Sequence, residues 1–245
     1  MVTIVGYGAM AKAILEGLLQ QNISCEIVGR DKQKLQEVEK RYGIKVYHLN
    51  NFDISDKDVI LAIKPYALEE VASQLTGRAA TLYSILAGTT IEKLKIIKAK
   101  HYVRAMPNIA AKKRASMTAL TGDETKKENA SQLFGAIGKT IWLENETKLD
   151  IATAIAGSGP AFLALVAEAI ADGGVYCGLK REEAYELTAG LFFSYANIAD
   201  ELPASIKDQV MSPAGTTAAG YNVLEKNSVR GAFIESIMKA FEKTK

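Results

Sequence analysis

Gly6-Tyr7-Gly8-Ala9-Met10-Ala11 reads G-x-G-x-x-A, directly after the apolar run Val2–Val5 and at the head of a helical pattern. The spacing suits a pyrophosphate. Gly6 allows a tight turn, Gly8 lets phosphate oxygens approach the backbone, and Ala11 lets the helix pack closely on a sheet. Free N–H groups and the positive end of the helix dipole then face the anion. The glycine pattern alone is weak, but a strand before it and a helix after it are the context it requires. A dinucleotide is therefore expected at Gly6, Gly8, Ala9, Met10 and Ala11.

The next strand-like run ends at Val28-Gly29-Arg30-Asp31. An NAD site usually places an acid at this strand tip to bind the ribose 2′-hydroxyl. Gly29 stands there instead, and Arg30 follows it, with a permanently charged fork that suits a 2′-phosphate. This favours NADPH. Asp31 keeps NADH open as the alternative, because it either caps the next helix or takes the ribose hydroxyl. LAIKP (61–65) and SILAG (84–88) fall at later strand ends, where ligands of open α/β sheets bind. Lys64 is placed at that crevice; its plainer reading is an exposed lysine at a strand end, and that of Gly88 is a turn.

Three further clusters stand out: Arg104-Ala105-Met106-Pro107-Asn108, Gly157-Ser158-Gly159-Pro160-Ala161, and VMSPAGTTAAG from Val210 to Gly220. Each has a plain structural reading: a Pro-Asn turn, a helix start with proline in its first turn, and a helix start capped by Ser212 or Thr216. Cys25, Cys177, His48 and His101 are isolated, so neither a metal site nor a disulfide framework is expected. A reducing compartment, the cytoplasm, is the natural setting.

The elements that must position these residues change character along the chain. Apolar runs at 2–5, 25–29, 58–63, 81–86 and 101–106 alternate with helical patterns at 10–20, 31–42 and 66–75. Such alternation predicts a parallel sheet with crossover helices. Further strands are expected at 116–122 and 140–144, with a helix over 123–137 between them. Beyond Asp150 helical segments follow at 159–176, 181–199, 216–225 and 228–243. The reading is an α/β fold: a Rossmann-type parallel-sheet domain over 1–149 and an all-α dimerisation domain over 150–245. The window Ile151–Ala171 is read as a buried helix rather than a membrane span, because Thr153, Ser158, Pro160 and Glu168 interrupt it. The helix after Pro160 is apolar nearly all round, which predicts a second subunit. The 30 basic and 28 acidic residues nearly balance, so no nucleic-acid partner is expected.

Taken in order, these segments resemble the pyrroline-5-carboxylate reductase family. The resemblance runs nearly end to end, through GYGAMA, LAIKP, SILAG, RAMPN, GSGPAF, ADGGVYCGL (171–179) and DQVMSPAGTTAAG with the VLE that follows. It implies reduction of a cyclic imine to L-proline with NADPH or NADH. It also implies a helical domain interlocked with a second subunit, with larger rings of dimers in some members. The cofactor residues it implies are Gly6 to Ala11, Arg30, Asn50, Ala62 to Pro65 (with Lys64 among them), Ala87 and Gly88. The substrate residues are Met106, Asn108, Gly215, Thr216 and Thr217, with Thr217 catalytic and facing the other subunit's nicotinamide. Ala214 stands where the family often has Gly, which predicts a backbone with no need for positive φ there. Asp31 replaces a frequent Ser or Thr, and Ile109-Ala110 a frequent Thr-Pro.

A helix beginning at Gly215-Thr216-Thr217 offers unpaired N–H groups to the substrate carboxylate. A threonine hydroxyl is too weak an acid to protonate an imine unaided, so Thr217 is expected to orient a protonated imine or relay a proton from water. Glu168 and Asp172 are read as structural or interface residues. Two alternatives share the N-terminal loop. A β-hydroxyacid-dehydrogenase-type reductase needs a lysine in the helix after Ala161, and none occurs before Lys180. A nucleotide sensor without catalysis has no use for a Gly-Thr-Thr carboxylate site.

Overall fold

The computed structural model describes residues 1–244. Eight strands form one sheet: β1 (Val2–Val5), β2 (Cys25–Gly29), β3 (Lys45–His48), β4 (Asp58–Leu61), β5 (Ala79–Ser84), β6 (Ala99–Met106), β7 (Ser116–Gly122) and β8 (Gly138–Trp142). Their order is β8-β7-β6-β5-β4-β1-β2-β3. The stretch 3-2-1-4-5-6 within it is the doubly wound dinucleotide order, with its reversal between β1 and β4. β1 and β2 are buried at every residue, and their two polar members pair with each other, Thr3 donating its hydroxyl to the Glu26 carboxylate at 2.7 Å. Ile4, Ile27 and Ile60 point into one core, and Val5, Val28 and Val59 into the other.

The sheet is not wholly parallel, as the alternation had predicted. β6 and β7 pair antiparallel. Residues 107–115 join them through a short 3₁₀ turn (Ile109–Lys113) and are too few for a crossover. The helix α5 (Lys127–Gly135) is a true crossover, so β8 runs parallel to β7. β3 had no apolar run to announce it, since its residues are half-exposed or exposed.

Helix α1 (Ala9–Gln20) buries Ala11, Ala13, Ile14, Leu15 and Leu18 against the sheet. Helix α2 (Lys32–Tyr42) is capped by Asp31, whose carboxylate accepts from the N–H groups of Gln33 and Lys34. Helix α3 (Leu68–Gln74) follows a 3₁₀ turn over Pro65–Ala67, and a short α4 (Ile91–Leu94) precedes β6. Helix α6 (Glu146–Ala152) is tied back to β6 by the buried Arg104. Its Nη1 reaches Glu146 at 2.9 Å and its Nη2 reaches Asp150 at 3.0 Å. Leu149 packs beside Met106 and Ala119. One compact unit takes in residues 1–158 and 241–244, and these ties hold α6 within it.

The second unit, Gly159–Ala240, holds α7 (Gly159–Tyr176), α8 (Arg181–Ala196), α9 (Pro203–Val210), α10 (Thr216–Lys226) and most of α11 (Val229–Glu242). Ala171, Ala184 and Thr188 are buried where α7 and α8 pack together. Arg181 pairs with Asp172 across the turn between them, which gives that acid a structural task. Most large apolar side chains of the unit are exposed, among them Leu165 at 66%, Leu187 at 63% and Phe193 at 73%.

Candidate active site

A cleft of about 620 Å³ opens at the carboxyl ends of the strands around the β1/β4 switch point. Its lining includes Gly6, Gly8, Ala9, Met10 and Ala11 from the β1–α1 turn. Arg30 comes from the end of β2, Ala62, Lys64 and Pro65 from the end of β4, Ala87 from the end of β5, and Met106 from the end of β6. The backbone explains the two glycines. Gly6 has φ +116°, and a Cβ there would lie 2.4 Å from the Ala62 carbonyl oxygen. At Gly8 a Cβ would meet nothing within 4 Å, so the space beside it is open. No side chain caps α1 at Gly8, and no acid occupies its first turn. The first N–H groups of α1 therefore remain available to an anion. This uncapped helix start beside open space fits the pyrophosphate of a dinucleotide.

Arg30 does not stand free: its Nη1 donates to both carboxylate oxygens of Glu70, at 2.7 and 2.9 Å. Asn50, Gly88 and Asn108 lie outside the lining. The Asn50 N–H donates to His48 Nδ1 at 3.2 Å, and the other ring nitrogen of His48 meets the Arg30 carbonyl at 3.0 Å. The Asn108 side chain accepts from the Ala110 N–H at 3.0 Å, which caps the 3₁₀ turn after Met106-Pro107. The cleft also takes in Tyr66, Ile109 and Lys112, which the sequence reading had not assigned to it. Lys112 belongs to an ordinary basic run, so it carried no signal. Burial pushes the Cys25 thiol up to about 11, which makes it an inert core residue of β2.

In the helical unit, Ser212 O accepts from the Gly215 N–H at 3.0 Å, closing a turn over Pro213 and Ala214. Ala214 has φ +58°, which corrects the expectation that this backbone needs no positive φ. The turn demands a left-handed residue at its third place, and alanine bears the strain. Gly215 is the N-cap of α10, with no side-chain cap hydrogen bond, so neither Ser212 nor Thr216 serves as the cap. A Cβ at Gly215 would fall 2.3 Å from Ser212 Oγ. The N–H groups at the start of α10 thus remain uncapped beside two threonine hydroxyls. One turn after Thr217, the Tyr221 hydroxyl donates to Glu225 at 2.5 Å and accepts from Arg230 at 2.6 Å. Arg230 and Tyr221 hold the Glu225 carboxyl below its ordinary range. Sequence reasoning had not singled out this network.

Comparison with known proteins fits this geometry. A pyrroline-5-carboxylate reductase of Helicobacter pylori is 36% identical over 250 residues, covering 98% of this chain and 96% of the relative. The chain belongs to the pyrroline-5-carboxylate reductase family. A second pyrroline-5-carboxylate reductase, from Synechocystis sp., is also 36% identical, over 98% of this chain and 96% of its own. The solved structure of 1-pyrroline-5-carboxylate reductase from Streptococcus pyogenes matches with a TM-score of 0.87 at 28% identity, over 99% of this chain and 97% of that one. The family described as "NADP oxidoreductase coenzyme F420-dependent" matches residues 1–88, and "Pyrroline-5-carboxylate reductase dimerisation" matches residues 146–245. The helical unit is thus the pyrroline-5-carboxylate reductase dimerisation region. That accounts for a departure from the sequence reading, which had the helix over Ile151–Ala171 buried. α6, a π-helical turn over Thr153–Gly157 and α7 make a helical stretch, Glu146–Tyr176, that is by length and composition alone apolar enough to cross a membrane, and only 11% of its most apolar window is buried in the single chain. Contiguous exposed apolar faces of this kind mark protein interfaces, and a homodimer supplies the cover.

Proposed function

We infer that the protein reduces 1-pyrroline-5-carboxylate to L-proline by hydride transfer from NADPH, with NADH as the alternative donor, in the final step of proline biosynthesis. The observation that carries this reading is likeness to pyrroline-5-carboxylate reductases over 98% of the chain, spanning both the cleft and the α10 start. The cofactor, when bound, supplies a hydride to the imine carbon. The chain's own residues bind and orient. The N–H groups of Ala9, Met10 and Ala11 hold the pyrophosphate, with Gly6 and Gly8 giving it room, and Arg30 meets the adenosine ribose. Ala62, Lys64, Pro65 and Ala87 border the rest of the cofactor, and Asn50 and Gly88 shape the loops behind it. Met106 presents a side chain to the cleft, and Asn108 fixes the loop that carries it.

In this reading the α10 start takes the substrate carboxylate through the N–H groups and hydroxyl of Gly215 and Thr216. The Thr217 hydroxyl orients the imine nitrogen and passes it a proton from water. The two His residues both fall before Arg181, at positions 48 and 101, so the helical unit offers no imidazole for that step. Positioning does most of the work, since proximity and orientation supply as much as about 7–11 kcal/mol. We assign residues 1–149 to the cofactor and 150–245 to substrate binding and dimerisation. The near-neutral charge supports a small-molecule enzyme of the cytoplasm, with neither nucleic acid nor membrane as partner, working as a dimer or a ring of dimers. The test is loss of NADPH absorbance on adding pyrroline-5-carboxylate. Substrate-dependent oxidation is expected; folded protein that oxidises neither NADPH nor NADH refutes the reading.

A further inference from the structure

Arg30 and Glu70 join two sides of the cleft. Arg30 follows β2, while Glu70 sits in the first turn of α3, the helix that follows β4. Between them lies β1, so the pair bridges the crevice at its switch point. Both side chains are 57% exposed. An exposed pair of this sort contributes little to folding, so its position calls for another explanation than stability.

The other acid at this corner is committed. Asp31 Oδ1 accepts from the N–H groups of Gln33 and Lys34, at 3.0 and 3.1 Å, as the cap of α2. An acid at Gly29 would have to push the Tyr7 ring aside, because a Cβ there would lie 2.3 Å from Tyr7 Cε1. Glu70 is thus the carboxylate that meets the guanidinium best placed for an adenosine 2′ substituent.

We propose that Glu70 is a specificity-determining residue: by occupying the Arg30 guanidinium, it lowers the preference of the cleft for a 2′-phosphorylated adenosine over one with a free 2′-hydroxyl. A 2′-phosphate binds a guanidinium fork well. To reach Arg30 it must displace one carboxylate and then lie beside it, charge against like charge. A 2′-hydroxyl meets neither cost and can donate to the Glu70 carboxylate. The inference rests on the reading of the cleft as an NAD(P)H site and adds to it the residue that sets the balance between the two cofactors.

Calorimetric titration of the full-length protein with adenosine 2′,5′-bisphosphate and with AMP tests this without turnover. E70Q is expected to shift the ratio of the two dissociation constants toward the bisphosphate by about two- to fivefold. E69Q, at the exposed neighbouring position, leaves the ratio as in the wild type. In an R30M background E70Q leaves the ratio unchanged, because Glu70 acts through Arg30. An unchanged ratio in E70Q, a shift toward AMP, or a full gain without Arg30 overturns the proposal while leaving the cofactor reading intact. Failure of the wild type to bind either ligand overturns the cofactor reading, and this proposal with it.

Discussion

Ala214 carries the backbone through φ +58° in the turn that Ser212 and Gly215 close. A left-handed alanine costs roughly 1–2 kcal/mol, and glycine there gives back about 0.4–1 kcal/mol through a freer unfolded chain. Ala214→Gly is therefore expected to stabilise the protein by about 0.5–1 kcal/mol, read by urea or thermal unfolding. A fall in stability would contradict the strain account. The helix start at SPAGTT was legible in the sequence, whereas the φ of Ala214 was not, because it follows from a backbone hydrogen bond rather than from residue type. At Thr217 the expectation concerns chemistry. Thr217→Ala should lower turnover by about ten- to a hundredfold while fluorescence titration finds NADPH affinity unchanged. Wild-type turnover in that variant removes Thr217 from the mechanism.

The β1–α1 turn shows at the level of elements why two glycines in one motif are not equivalent. Gly6→Ala would drive a Cβ to 2.4 Å from the Ala62 carbonyl oxygen, which belongs to backbone continuing β4. A strained backbone and a steric clash together are expected to cost at least about 2 kcal/mol in denaturant unfolding. Gly8→Ala meets open space instead, so it should fold within about 0.5 kcal/mol of wild type yet lose at least about tenfold in NADPH affinity. Equal stability losses at the two positions would contradict these separate roles. β1, β2, β4 and α1 were legible because buried strands and one-faced helices leave strong patterns. β3 was not, since an exposed edge strand such as KVYH carries little apolar signal. The reversal at β7 was encoded in a connection too short for a crossover, and the strand patterns themselves carry no direction. The α6 tie was hidden as well, because Arg104 reads like any strand residue until its buried guanidinium meets Glu146 and Asp150.

For the whole molecule, the helical unit leaves Leu165, Leu187 and Phe193 exposed in the single chain of 26.5 kDa. Sedimentation at micromolar concentration should find at least a dimer, and a monomer would contradict the dimerisation account. The all-round apolarity of α7 pointed to a partner from the sequence alone, because a helix with no polar face must be covered on several sides. In the proposed reaction hydride passes to the imine carbon, and a proton to its nitrogen. The most direct measurement uses NADPH deuterated at the transferring position of the nicotinamide, with pyrroline-5-carboxylate as substrate, and weighs the product by mass spectrometry. The account predicts proline carrying one deuterium on the ring carbon that had been the imine carbon. Proline without deuterium there, or cofactor oxidation without proline, would contradict it.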